Sequence, residues 1–341
     1  MTINIIGIDL AKEIFHLHGL DKSEQSVMTK TLRRRQFAAY IHDLPPCIIA
    51  MEACAGAHHW GRVFRAYGHT VRLLAPHHVK PYAREQKNDR NDAKAIAVAA
   101  LRPSMTYTDI KTQEQQAQAM LYKYRQRLIR TRTGQINAIR GHMAEFGIVV
   151  PKGRTHIGKL AELVTDELTE LPPLAVRIGR TMFTRLETLD TEIDVLDREI
   201  KAQARSEVTT RRMMSVPGVG HMTALAIRAL MADMACFKTG RGFAAAIGLV
   251  PRQKTTGGRP VLGGITKTGQ RDVRRLLVVG AISVMAAAGR KDPEESPPWL
   301  RRMLASGKPF KVIAVALANK MARMIWAVTT KQEMYRQIEV G

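Results

Sequence analysis

Aromatic residues are scarce in this chain: Phe, Trp and Tyr together make up 5% of 341 residues. The core must therefore be largely aliphatic and methionine-rich, a composition that leans helical. Cysteine is scarcer still. Cys47, Cys54 and Cys236 are odd in number, far apart and without a Cys-x-x-Cys spacing, which excludes a disulfide framework or a thiolate zinc site. Each is expected to be a small buried apolar residue. The opening MTINIIGIDLAKE lacks the basic stretch and long apolar run of a signal peptide. No run of 18 apolar residues occurs, so no membrane span is expected, and a cytoplasmic location is. Acidic residues are few as well: 30 Asp and Glu face 53 Lys and Arg, a formal charge of +23. A fold does not need that excess, and a polyphosphate partner accounts for it better than a generally basic surface does.

What is present divides into three regions. Residues 1–110 read as α/β. Apolar runs at 3–9, 14–20, 26–32, 47–52 and 71–74 predict strands, and 36–42, 57–68 and 89–101 predict helices. Three hairpin-like strands followed by alternating helix and strand is the order of an RNase H-like sheet. Residues 111–205 read as helical. A long basic helix spans 112–146, and Met182, Leu186, Leu189, Ile193, Leu196 and Ile200 then follow the heptad spacing of a coiled coil. An intramolecular helix hairpin and a dimerising coiled coil both satisfy that pattern, and the flanking helix favours the dimer. Residues 206–341 read as a mostly α domain, interrupted by a loop-rich stretch from Pro251 to Gly269 and closed by an apolar helix from Phe310 to about Val328.

Four acids of the first region form a constellation. Asp9 ends the first strand and Glu52 ends the fourth, while Asp89 and Asp92 lie at i, i+3 on one face of an alanine-rich helix. A carboxylate after an apolar strand sits at the sheet rim, where it favours water or a cation. Several converging there would repel one another and need a divalent ion. Mg²⁺ suits such a site because it takes oxygen ligands and keeps waters for a substrate phosphate; one or two ions can serve phosphoryl transfer. Taken singly, Asp9 or Asp89 could cap a turn or helix, and Asp92 could complement a helix dipole.

Two features of the last region suit phosphates. Ser215-Val216-Pro217-Gly218-Val219-Gly220 before an alanine-rich segment reads as a helix-hairpin-helix, whose Gly218, Val219 and Gly220 amides could hold a phosphate; a plain helical corner is the alternative. In the loop-rich stretch, Lys254, Thr256, Gly257, Arg259 and Lys267 mix hydroxyl, glycine and cation, a nucleic-acid-binding composition or else a solvated basic loop.

The strings GIDLAK at 7–12, MEACAG at 51–56 and KNDRNDAKAIA at 87–97 resemble the insertion-sequence transposases with an N-terminal RuvC-like DEDD domain, the bridge-RNA-guided (seeker-RNA-guided) recombinases. The resemblance continues through FAAAIGLVPRQKTTGGRPVLGGITKTGQRDVRRLL at 243–277 and ALANKMARMIWAV at 316–328, and so covers nearly the full chain. It implies that Asp9, Glu52, Asp89 and Asp92 bind metal. It implies a hydroxyl nucleophile that joins DNA covalently, a guide RNA, and dimers that assemble into tetramers. The nucleophile of related chains is a serine. The matching position here, twelve residues before Lys267, is Thr255, a departure whose methyl group crowds the hydroxyl. The competing readings are a metal-dependent junction nuclease that uses water, a non-catalytic nucleic-acid-binding protein, and an actin-like kinase, which lacks a second phosphate loop here.

Overall fold

The first strand, β1 (Ile5–Asp9), alternates its side chains between two buried faces, and that alternation organises the first compact unit, Met1–Glu114. The computed structural model describes residues 2–83, 89–103, 105–166, 170–231, 233–256, 258–290 and 296–336, with the side chains of residues 89 and 90 left out. In chain order the first unit holds β1, β2 (Ile14–Leu20), β3 (Ser26–Arg33), α1 (Arg34–His42), β4 (Ile48–Glu52), α2 (Ala57–Ala66), β5 (Thr70–Leu74), α3 (Pro76–Val79), α4 (Asp89–Ala100) and β6 (Tyr107–Thr108). The sheet order is β3-β2-β1-β4-β5-β6. β1, β2 and β3 pair antiparallel, β1–β4 and β4–β5 pair parallel, and β6 returns antiparallel.

Ile6 and Ile8 point to one side, where α1 and α2 pack Phe37, Ile41, Trp60 and Phe64 against Phe15 and Leu17. Most aromatics of this unit gather here, with Phe15 and Phe37 stacked at 4.1 Å between ring centroids. Ile5 points to the other side, with Ala50, Leu74 and the alanine-rich face of α4. The small side chains let α4 lie close over the sheet. A β-carbon added at Gly7 would stand 2.1 Å from the Ala93 carbonyl oxygen, so only glycine fits there.

The second unit, Gln115–Gly341, is mostly helical. It contains nearly all of α5 (Gln113–Ala144), then α6 (Ile157–Thr165), α7 (Pro173–Ser206), α8 (Val208–Met214), α9 (His221–Leu230), α10 (Gly240–Ala246), β7 (Pro251–Thr256), β8 (Arg259–Ile265), α11 (Arg271–Ala288), α12 (Pro298–Ala305) and α13 (Phe310–Thr330). The heptad residues lie on α7 and pack against α5 of the same chain, the arrangement of the intramolecular helix hairpin. Leu186 packs with Ile139 and Met143 of α5, Leu189 and Ile193 with Leu128, and Ile200 with Leu121. As residue numbers rise on α7 they fall on α5, so the seam closes as an antiparallel hairpin within one chain. Arg125 holds Asp197 through two bonds of 3.0 Å, and Arg132 holds Asp190 at 2.8 Å, which fixes the register of the pair.

Helix α13 is long and apolar enough to cross a membrane by length and composition alone. Its stripe of Ile313, Leu317, Met321 and Ile325 is buried against residues of α9, α10 and α11, the position of a core helix. The cysteines also depart from expectation: Cys54 and Cys236 are exposed and Cys47 is half-buried. Each follows or borders a turn, where local hydrophobicity does not decide burial.

Candidate active site

Strand parity brings the acids together. Asp9 shares its face of β1 with Ile5 and Gly7, and Glu52 shares its face of β4 with Ala50, the side that α4 covers. The parallel register pairs Gly7 with Ala50 and Ile8 with Met51, which brings the ends of the two strands, Asp9 and Glu52, side by side. Asp92 stands in the first turn of α4, above the same rim. All three carboxylates are half-buried. The charges act on one another: burial first, then the nearby Asp9 and Asp92 carboxylates, push the Glu52 carboxyl above its ordinary range. Asp89 opens α4 one turn earlier, but its side chain lies outside the described residues. Among the described residues no three His, Cys, Asp or Glu side chains form a ready cage for a metal ion. The donor set is nonetheless the right kind for a hard cation: three carboxylates from three elements, crowded enough to raise a proton affinity.

Two neighbours of this cluster carry no local sequence signal. His16 stands directly across the antiparallel ladder from Asp9, and its Nδ1 lies 3.2 Å from Thr31 Oγ1 on the next strand. Only strand pairing reveals it. Cys54 is exposed as a residue, yet partial burial of its thiol, and then the Glu52 and Asp9 carboxylates, push that thiol up, so it borders the same rim.

The second candidate site lies in the other unit. The stretch expected to be loop-rich is a β-hairpin, β7 paired with β8, in which Thr255 faces Pro260, Thr256 faces Arg259 and Lys254 faces Val261. Every residue of β7 is exposed, so the hairpin is held by its ladder and its base rather than by a core. Gln253 donates from Nε2 to Thr255 Oγ1 at 3.2 Å, two residues apart on one face of the strand. Gly257 lies outside the described residues. At the base, Arg274 of α11 donates from Nη1 to the carbonyls of Ile247 and Thr268, at 2.8 and 2.7 Å. Lys267 stands in that turn with φ of 58°, so its exposed side chain leaves the backbone at a fixed angle.

Residues 215–220 join α8 to α9 through a turn that serves packing as well as exposure. Gly218 has φ of 83°, and an added β-carbon would meet Val284, the Gly280 carbonyl and Met321 within 2.9 Å. Val219 is buried, so its side chain belongs to the core. Of the three residues only Gly220, which precedes α9, is exposed.

A DEDD transposase family model of the IS110 type matches residues 6–148, and the model of the Transposase IS116/IS110/IS902 family matches residues 210–295. A probable family 20 transposase of Pseudomonas aeruginosa is 43% identical over 339 residues, covering 98% of this chain and 99% of that protein. The transposase for insertion sequence element IS1111A of Coxiella burnetii is 39% identical over 98% of this chain and 92% of its own length. The transposase for IS1328 of Yersinia enterocolitica is 37% identical over 98% and 99%. With both family models matched in order, and relatives of this identity aligned from end to end, the chain belongs to the IS110/IS116/IS902 family of insertion-sequence transposases.

Proposed function

We propose that this transposase cuts and rejoins DNA strands with two sets of groups: the carboxylates of an RNase H-like first unit and the Thr255 hydroxyl of the second. The observation that carries the reading is the meeting of Asp9, Glu52 and Asp92 at one sheet rim, where Glu52 feels the other two charges. Such crowding is unfavourable in the isolated protein and becomes useful beside a cation and a phosphate. A divalent ion such as Mg²⁺, held by Asp9, Glu52, Asp89 and Asp92, would supply Lewis acidity toward phosphate oxygens.

The Thr255 Oγ1 attacks the DNA phosphorus and gives up its proton to solvent. A phosphothreonine ester forms, one P–O bond to deoxyribose breaks, and the departing oxygen takes up a proton. A hydroxyl from the incoming DNA end then attacks the same phosphorus, loses its proton, and releases the Thr255 oxygen, which regains one. Each phosphodiester is exchanged for another, so no nucleotide cofactor is required. Gln253 holds the Thr255 oxygen from one side and leaves its proton free to depart on another. Lys254, Arg259 and Lys267, with Thr256, Gly257 and the backbone of Gly218–Gly220, serve the phosphate backbone. The charge of +23 supports a large nucleic-acid footprint, including an RNA guide. The working form is a homodimer that assembles into a homotetramer, acting in the bacterial cytoplasm, so that carboxylates and hydroxyl of different protomers can share a site.

The test is to purify the protein from cells carrying its flanking DNA, sequence the RNA that accompanies it, and add Mg²⁺ and cognate DNA. A discrete flanking RNA and a covalent protein–DNA adduct that Thr255→Ala abolishes are the expected results. An adduct that survives Thr255→Ala rejects the nucleophile, and cleavage without any adduct favours hydrolysis by water.

A further inference from the structure

A groove of about 780 Å³ runs along α13 at the base of the β7–β8 hairpin, apart from every group used above. Its floor is apolar, formed by Leu249, Ile265, Val315, Ala316 and Met324. Its rim is cationic. Lys320 lies 4.6 Å from the Trp299 ring centroid, over its face, and Arg323 stands one turn away on the same helix. Burial, and then repulsion by Arg323 and by Arg302 of α12, lowers the proton affinity of the Lys320 ammonium. Among the described residues no carboxylate pairs with any of the three. Three crowded cations with no counter-charge among the described residues, beside an apolar floor, leave room for a ligand that is anionic at its edge and flat and apolar in its body.

We infer that this groove holds an unpaired deoxynucleotide segment of the DNA strand, its base on the apolar floor and its phosphates against Lys320 and Arg323, with Arg302 adding positive charge nearby. A duplex presents phosphates but keeps its bases stacked inside, and would leave the floor uncovered. An unstacked strand offers both surfaces. The groove also leads to the hairpin. Pro251 lines it and opens β7, and Thr255 lies four residues further along, about 13 Å at ~3.3 Å per extended residue. A strand seated in the groove therefore passes Thr255 within a few nucleotides, which is why the occupant is DNA; this choice of occupant rests on the proposed role of Thr255.

The experiment uses the full-length protein in a chelator, so that no strand is cut. A short single-stranded oligodeoxynucleotide carrying 5-iododeoxyuridine is photo-crosslinked and the modified peptides are mapped, with duplex DNA and RNA of the same sequence as competitors. Crosslinks on the α12–α13 peptides, competed by single-stranded DNA more than by duplex, are expected. Lys320→Gln with Arg323→Gln should lower the slope of log affinity against log salt by about 1.4, from about 0.7 per phosphate lost. Val312→Asp, on the exposed groove wall, should weaken binding without touching the cations. Equal competition by duplex, crosslinks elsewhere, or crosslinking of RNA alone would overturn the inference. So would variants that change the assembly mass and leave DNA binding intact, which would make the groove a protein interface. Thr255→Ala should crosslink as the wild type does, so failure of the nucleophile and failure of the groove are read separately.

Discussion

The Gly7 Cα faces the Ala93 carbonyl so closely that a β-carbon between them would sit 2.1 Å from that oxygen and 2.5 Å from the Ala97 nitrogen. The obstacle is helix backbone, which cannot swing aside as a side chain can. Gly7→Ala must lift α4 from β1, and α4 carries Asp89 and Asp92 while β1 carries Asp9. We expect a loss of about 1–3 kcal/mol in unfolding free energy from overpacking, read by denaturant titration, with strand exchange falling further than the folded fraction does. Activity that merely tracks the folded fraction would mean that α4 does not set the spacing of the acids.

That relationship also shows what the sequence could and could not disclose. The sheet was legible because its central strands are apolar on both faces, and an acid at the end of two of them is conspicuous. The position of α4 was legible from its alanines. His16 was not, because its nearness to Asp9 comes from antiparallel register rather than spacing. The β7–β8 hairpin was read as loop because Thr, Lys, Gly and Arg on a fully exposed strand show no apolar alternation. The heptads of α7 were plain, yet a heptad does not say which helix fills it. The apolar partners on α5, Leu121, Leu128, Ile139 and Met143, are diluted among arginine and glutamine.

Glu52 gives a pH-dependent prediction. Its folded-state proton affinity is raised by burial and by Asp9 and Asp92. A carboxyl shifted that way contributes stability that is full below the ordinary carboxylate range and lost as pH rises through the shifted value. Glu52→Gln should therefore raise the melting temperature of the metal-free protein at neutral pH, with the gain shrinking as the pH falls into the carboxylate range. Adding Mg²⁺ or Mn²⁺ should stabilise the wild type more than the variant, because ligand binding to the folded state adds stability by mass action. Equal melting at both pH values, with the same response to metal, would remove Glu52 from the metal site.

Thr255 and Gln253 separate chemistry from positioning. Thr255→Ser keeps the hydroxyl and frees it from the crowding methyl group, so adduct formation should rise or hold; Thr255→Ala should abolish it. Gln253→Ala removes the 3.2 Å bond to Oγ1 and should slow adduct formation without changing DNA affinity. Gln253→Glu should also slow it, since it removes the amide donor and sets a negative charge where the DNA phosphate must approach. Single-turnover adduct assays with matched anisotropy titrations distinguish these effects. A Gln253→Ala variant that loses affinity and keeps its rate would make Gln253 a DNA contact instead.

The α5–α7 seam gives a prediction about assembly. Leu189 is fully buried against Leu128 of the same chain, while Val195 on the same helix is 49% exposed. Leu189→Ala should destabilise the protein by about 2–5 kcal/mol, and Val195→Ala by less than about 0.5 kcal/mol. Because the partner helix is covalently attached, the Leu189→Ala loss should be the same at low and high protein concentration. A loss that fades as concentration rises would show that a second chain fills the seam. Asp197→Ala tests the register independently. It strands the half-buried Arg125 guanidinium, and double-mutant cycles with Arg125→Ala should return a coupling well above the 0–1 kcal/mol of about a typical surface pair. A coupling near zero would mean that the apolar seam alone, without the paired charges, sets how α5 and α7 meet.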